Sequence, residues 1–162
     1  MRPIRLKISD LADATGYTRY QIRGLLHEVF AGHPLGKKAG AQRTYSPPDL
    51  GVIAVVCAIE RDYAVDRRRL AVVSDTLRRV LSGPRTANRS ARLLLSFTPP
   101  TATYLDHETP PDAEGLLVRL GPIFARVDEY LGVSGSSPAN AQPILPLRPS
   151  IATGRRGVAR NR

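Results

Sequence analysis

The chain has little of several residue types on which common protein chemistries depend. It contains no tryptophan, one cysteine and three histidines. A single cysteine, Cys57, excludes an internal disulfide, and its place in the apolar run 52–59 predicts a buried thiol in a reducing compartment. The histidines His27, His33 and His107 lack the spacing that metal ligands require, and no cysteine pair accompanies them. The sequence therefore predicts neither a metal site nor a cofactor.

Long apolar runs are also missing. The longest, residues 52–59, falls far short of the roughly 20 residues that span a bilayer. The first residues do not combine a charged start with a following apolar core and a cleavage site, as a secretory signal does, so we expect a cytoplasmic protein without a membrane segment. Neither a phosphate-binding glycine loop nor a nucleophile elbow occurs, and the acid–histidine group at 106–108 lies in a proline-rich loop. We expect no catalytic residues and no enzyme activity.

Positive charge is abundant and unevenly distributed. The formal net charge is +10, with +6 on residues 1–83, −1 on residues 84–133 and +5 on residues 134–162. A surplus of this size favours a polyanionic partner, with nucleic acid as the main candidate. The last segment is rich in proline, glycine and arginine and has no periodic apolar positions, which predicts a disordered basic tail.

The front of the chain has the pattern of two short helices joined by a tight turn. Ser9 stands where a cap for the first helix is expected, and Gly16 supplies the backbone freedom for the turn. Thr18 is placed to cap a second helix that runs to about Phe30. Apolar residues recur at helical spacing along that second helix: Ile22, Leu25, Leu26 and Val29.

The following residues predict a hairpin and two more helices. The segment from Pro34 to Tyr45 has little apolar content and bends at Gly40, as a short protruding hairpin does. Ser46-Pro47-Pro48-Asp49 is a strong helix start, so the apolar run after it predicts a buried helix rather than a strand. A further helix begins near Asp66 and ends around Ser82.

Residues 84–133 are expected to form a smaller unit that serves dimerisation or another interaction. Residues 92–105 read as a hairpin around a proline turn, and residues 112–131 as one helix kinked at Gly121-Pro122. That helix needs a partner surface from its own domain or from a second subunit. The predicted fold is mainly α: a winged helix-turn-helix domain over residues 1–83, a hairpin-plus-helix appendage over 84–133, and a disordered tail over 134–162.

These residues resemble the MerR-type transcriptional regulators, which are winged helix-turn-helix proteins. The resemblance covers about residues 6–82. It is carried by Ile8-Ser9, Leu11-Ala12, Thr15-Gly16, Thr18, Ile22-Arg23, Arg43-Thr44-Tyr45, Ser46, Asp49-Leu50 and an arginine-rich turn before the fourth helix. It implies that the second helix enters the DNA major groove, that the hairpin and following helices hold phosphates, and that a homodimer binds a two-fold site. RNA polymerase is then a candidate further partner. The chain departs from the family at Gly24-Leu25-Leu26, at Gln42, and in lacking a long C-terminal helix.

We expect double-stranded DNA to contact three groups of residues. The start of the second helix offers side chains to base edges, the hairpin offers cations to phosphates or the minor groove, and three arginines open the fourth helix, where they oppose its dipole unless an anion lies nearby. The predicted contact residues are Thr18, Arg19, Tyr20, Gln21, Arg23, Lys37, Lys38, Arg43, Tyr45, Arg67, Arg68 and Arg69.

Two other functions fit the same residues. An architectural factor similar to the phage excisionases would bind DNA in order to shape it, and a winged-helix adaptor would bind a protein and leave the arginines as bystanders. Salt dependence separates the two DNA-binding functions from the adaptor. Affinity for DNA falls more steeply with ionic strength for each phosphate that the protein neutralises. The sequence identifies no effector.

Overall fold

The computed structural model of the chain describes residues 4–40, 42–83, 90–106, 112 and 114–132. Within these residues the fold is mixed, with five helices and five short strands. The helices are α1 (Ile8–Thr15), α2 (Arg19–Val29), α3 (Pro47–Tyr63), α4 (Arg67–Ser82) and α5 (Gly121–Tyr130). The strands are β1 (Lys37–Ala39), β2 (Gln42–Thr44), β3 (Arg92–Phe97), β4 (Pro100–Leu105) and β5 (Leu116–Arg119). No helix in these ranges is both long and apolar enough to cross a membrane.

Helix α1 begins slightly earlier than predicted. Ser9 lies inside the helix rather than at its cap, and the backbone N–H of Lys7 donates to the Asp10 carboxylate at 2.6 Å. The carboxylate at the third helical position therefore fixes the start, an arrangement that also complements the helix dipole. Gly16 ends α1 in the left-handed conformation, with φ of 75°, which confirms the predicted turn.

Helix α2 starts as the sequence predicts. The Thr18 hydroxyl accepts from the Gln21 backbone N–H at 3.2 Å, and the Gln21 side-chain oxygen accepts from the Thr18 N–H at 2.8 Å. This reciprocal pair satisfies two backbone donors that the helix itself leaves unpaired. Ile22, Leu25 and Val29 are buried, so α2 rests on the core along one side.

The predicted hairpin is confirmed. Strands β1 and β2 pair antiparallel, with Lys38 opposite Arg43, and Gly40 lies at the bend with φ of 63°. At the base, Tyr45 and Leu6 exchange backbone hydrogen bonds of 2.8 and 2.9 Å. The hairpin is thus tied to the segment that precedes α1.

Helix α3 is the centre of the molecule. Ser46 caps it, and every residue from Leu50 to Ile59 is buried, which confirms a buried helix in place of a strand. Cys57 is only 1% exposed, and burial raises its pKa to about 12, as expected for an unreactive structural thiol. Helix α4 follows with Asp66 as its cap, its carboxylate accepting from the Arg69 N–H at 2.9 Å.

The region after α4 differs from its prediction in one element. The hairpin of β3 and β4 is confirmed, but residues 116–119 form the strand β5 on the other side of β3 instead of the first half of a helix. Consecutive apolar residues at 116–118 suit a strand, and β3 offers a second edge of backbone donors and acceptors. Pro122 therefore lies in the first turn of α5 and does not kink a longer helix.

These later elements share the core with the earlier ones. Helix α5 packs against α1 and α3, and the three-stranded sheet packs against α4. Leu93, Leu95, Val118 and Val127 belong to the same buried cluster as the apolar side chains of α1 to α4. The described part of 84–133 is therefore integrated into the core. The segment predicted to be a disordered tail, residues 134–162, lies outside the described residues.

Candidate functional site

The outer face of α2 carries the first group of predicted contact residues. Arg19 and Arg23 are four residues apart, so they lie one turn above each other, and both are exposed. Tyr20 lies beside them and is 84% exposed. Neither arginine forms a hydrogen bond or an ion pair with any described residue. Two charges and one aromatic ring are therefore available to a ligand.

His27 extends this face and was missing from the predicted contacts. It follows Arg23 by four residues and is exposed on the same side of α2. On sequence alone, His27 is considered only as a metal ligand, for which its spacing from the other histidines is unsuitable. The helical spacing from Arg19 through Arg23 is the signal that would have found it.

Thr18 and Gln21, also predicted as contacts, are used to start the helix. The hydroxyl of Thr18 and the side-chain carbonyl of Gln21 are both engaged in the capping pair. Their main effect is to fix the backbone from which Arg19 and Arg23 project.

The hairpin residues divide into exposed and engaged side chains. Lys37 and Lys38 are exposed. Arg43 is half-buried, and its Nη1 donates to the Leu35 carbonyl at 2.8 Å, so it braces the hairpin. The prediction that Tyr45 contacts DNA is wrong, because this residue is 5% exposed and packed in the core. Burial also raises the pKa of its hydroxyl. Its backbone pairing with Leu6 turns the ring inward.

The three arginines of α4 have different surroundings. Arg67 lies between two carboxylates, with Nε 2.6 Å from Glu60 Oε1 and Nη1 2.7 Å from Glu28 Oε1. Arg69 is 3.7 Å from Asp66 and mostly exposed. Arg68 is exposed and has no partner among the described residues. This corrects the expectation that an external anion accounts for all three, because Arg67 is already balanced by the chain itself.

Arg67 belongs to a network that links α2 to three other parts of the fold. Tyr17, in the turn before α2, donates its hydroxyl to Glu60 Oε2 at 3.0 Å and approaches the Cys57 carbonyl at 3.1 Å. Glu60 on α3 therefore binds both Tyr17 and Arg67, and Arg67 reaches Glu28 on α2. Burial, the nearby thiol and Glu60 together raise the Tyr17 pKa well above its ordinary value. We call Tyr17, Glu60, Arg67 and Glu28 the bracing network.

The bracing network also explains Gly24, one of the departures from the family pattern. A Cβ at this position would lie 2.9 Å from Arg67 Nη1, closer than side chains normally approach. Glycine leaves space for the Arg67 guanidinium, which reaches from α4 to Glu28 on α2. The three pairs of the network are 43, 39 and 7 residues apart in the chain and each joins two different parts of the fold, so the patterns within one helix give no signal for them.

No metal site is found in the described ranges, where no three His, Cys, Asp or Glu side chains are arranged to hold an ion. No protein-family model matches the chain, and no curated protein or solved structure is significantly similar to it. Any function proposed for this protein therefore rests on its own residues and their geometry.

Proposed function

We propose that the chain is a sequence-specific DNA-binding protein that regulates transcription and is not an enzyme. In this proposal α1 and α2 form a helix-turn-helix, α2 enters the major groove, and the β1–β2 hairpin is the wing. The observation that carries the proposal is the pair Arg19 and Arg23, exposed and unpaired with any described residue on the outer side of a firmly capped helix. A planar guanidinium can grip a guanine edge or a phosphate with two hydrogen bonds.

Other exposed residues support the same reading. Tyr20 and His27 widen the outer face of α2, and side chains of these types contact phosphates or bases in many complexes. Lys37 and Lys38 on the hairpin and Arg68 on α4 supply charges suited to flanking phosphates. Arg67 is left out of this set, because its role is to hold α2 in place.

The resemblance to MerR-type regulators supports a homodimer on a two-fold operator, with RNA polymerase as a candidate further partner. A long helix that could form a coiled coil is not present in the described residues, where a three-stranded sheet and the ten-residue α5 follow α4. A dimer of this chain would therefore use another surface than a coiled coil built from those residues.

Selection of bound duplexes from a random pool, using the full chain, tests the proposal. We expect one enriched motif, with inverted half-sites if the protein is a dimer. Titration of that duplex at several salt concentrations should give a log–log slope of about −0.9 for each phosphate contacted.

Replacement of Arg119 gives a matched control, since this arginine is exposed on β5, far along the chain from α2. Arg119→Ala should bind the selected duplex as the wild type does.

Enrichment of bendable duplexes without a common motif would favour the architectural factor. If no duplex is enriched and binding does not depend on salt, the DNA-binding functions are excluded and the protein-binding adaptor remains.

A further inference from the structure

A cleft on another part of the surface lies between α1, α3 and α5. An inner cavity of about 80 Å³ adjoins a wider, open mouth of about 440 Å³, and the two share Ala14, Thr15, Arg61 and Arg126. The floor is apolar and made largely of small side chains: Ala14, Ala54, Ala58, Ile123 and Val127. Alanines at these positions leave room where α5 crosses α3.

The charges that line the inner cavity do not balance. Arg61 is paired with Asp62 through two bonds, Nε–Oδ1 at 2.8 Å and Nη2–Oδ2 at 3.3 Å, and its Nη1 donates to the Thr15 carbonyl at 3.3 Å. Arg126 lines the same cavity from α5 and makes no hydrogen bond or ion pair with a described residue. The inner cavity thus has two guanidinium groups and one carboxylate, Asp62, whose pKa is lowered by the hydrogen bond from Arg61 and also by the charge of Arg126. Arg126 itself lies beside the apolar floor without an ion pair to a described residue.

The mouth limits which anion could enter. Asp13 and Glu129 line it, together with Tyr130. Two carboxylates at the entrance disfavour a multiply charged ligand such as a phosphate dianion. A single carboxylate can still pair with Arg126, which lines both the inner cavity and its mouth.

We propose that this cleft binds a small monocarboxylate with a compact apolar body, an aromatic or branched aliphatic acid. The carboxylate lies against the Arg126 guanidinium, and the apolar part covers the alanine floor. The ligand also contacts Thr15, which ends α1 directly before the turn to α2. The site does not depend on the proposed DNA-binding function and is tested without DNA.

The test is a titration of the full chain followed by ¹H–¹⁵N correlation spectra, with benzoate and isobutyrate as probes. We expect saturable shifts at amides of α1, α3 and α5 around the cavity, with a Kd on the order of 1 mM, as suits ligands of this size. Benzyl alcohol, which keeps the benzoate ring but replaces the carboxylate with an uncharged hydroxymethyl group, should bind about tenfold more weakly.

Two variants localise the binding. Arg126→Gln removes the charge and should weaken benzoate binding about tenfold, while Arg119→Gln, a matched change on β5, should leave it unchanged. Ala58→Leu fills the cavity and should abolish the shifts in a chain whose spectrum stays dispersed. The proposal is overturned if neither acid gives saturable shifts at tens of millimolar, if Arg126→Gln binds as the wild type does, or if benzyl alcohol binds equally well.

Discussion

The arginines of α2 and the first arginine of α4, a helix that packs against α2, have opposite surroundings. Arg19 and Arg23 are exposed and unpaired with any described residue, whereas Arg67 is 21% exposed and held by Glu60 and Glu28. The sequence predicts all three as DNA contacts from their charge and position and, for Arg23, from the family resemblance. The difference shows that a cation beside the proposed recognition helix can stabilise the fold instead of binding a ligand, and pairing with carboxylates distinguishes the two roles.

From this contrast we predict separate effects on DNA affinity and on the free energy of unfolding. A free surface cation can be removed at little cost to the fold, because it leaves no buried group unpaired. An arginine between two carboxylates cannot, because its loss leaves like charges facing each other with one of them largely buried.

The largest expected effect is on DNA binding by Arg23→Ala. Affinity for the selected duplex should fall by about 1–3 kcal/mol, with relaxed base preference near the contact, because a bidentate base contact is lost. The measurement is an anisotropy titration on the selected duplex and on single-base variants. Stability in urea should stay within about 0.5 kcal/mol of the wild type; unchanged affinity and preference would remove Arg23 from the site.

Arg67→Ala should act on stability. Loss of both ion pairs leaves Glu60, which is 23% exposed, facing Glu28, and we expect the free energy of unfolding to fall by about 1–3 kcal/mol in urea denaturation. The matched control is Arg68→Ala, next along the chain, which should change stability by less than about 0.5 kcal/mol. Equal stabilities of the two variants would contradict the bracing role.

Tyr17→Phe should lower stability by about 1–1.5 kcal/mol near neutral pH, because it removes a hydrogen bond to the Glu60 carboxylate. The raised pKa of Tyr17 gives this effect a pH signature. The contribution is fully present below the ordinary tyrosine pKa near 10 and is lost as the pH rises from there toward the folded-state pKa. The gap between wild type and variant in urea should therefore narrow above pH 10, and a constant gap would contradict the assignment.

Thr18→Ala is expected to have the smallest effect. Loss of the cap should destabilise the protein by about 0.5–1 kcal/mol, and Thr18→Ser should restore most of it. DNA affinity should fall only as far as fraying of α2 displaces Arg19. A loss of affinity as large as that of Arg23→Ala, in both the Ala and the Ser variants, would show that the Thr18 methyl group itself contacts DNA.

Local signals predicted much of the fold. The caps at Thr18 and Ser46, the turn at Gly16 and the hairpin bend at Gly40 each depend on a few neighbouring residues, and each is present. The start of α1 was placed two residues late, at Ser9, because Asp10 can complete a cap by accepting from a residue with no capping side chain.

The errors arise where distant residues decide the outcome. Residues 116–119 suit a helix or a strand by composition, and pairing with β3 selects the strand. Tyr45 is buried because its backbone pairs with Leu6, and Arg67 is paired because the fold brings Glu28 and Glu60 to it. These partners lie from 7 to 39 positions away, beyond the reach of periodicity and capping patterns.

Arginine side-chain NMR signals, followed while the selected duplex is added, test the central claim most directly. The account predicts that the guanidinium signals of Arg19 and Arg23 shift on binding while that of Arg67 keeps its position, since its carboxylate partners are unchanged. Shifts at Arg67 with none at Arg19 and Arg23 would contradict the account.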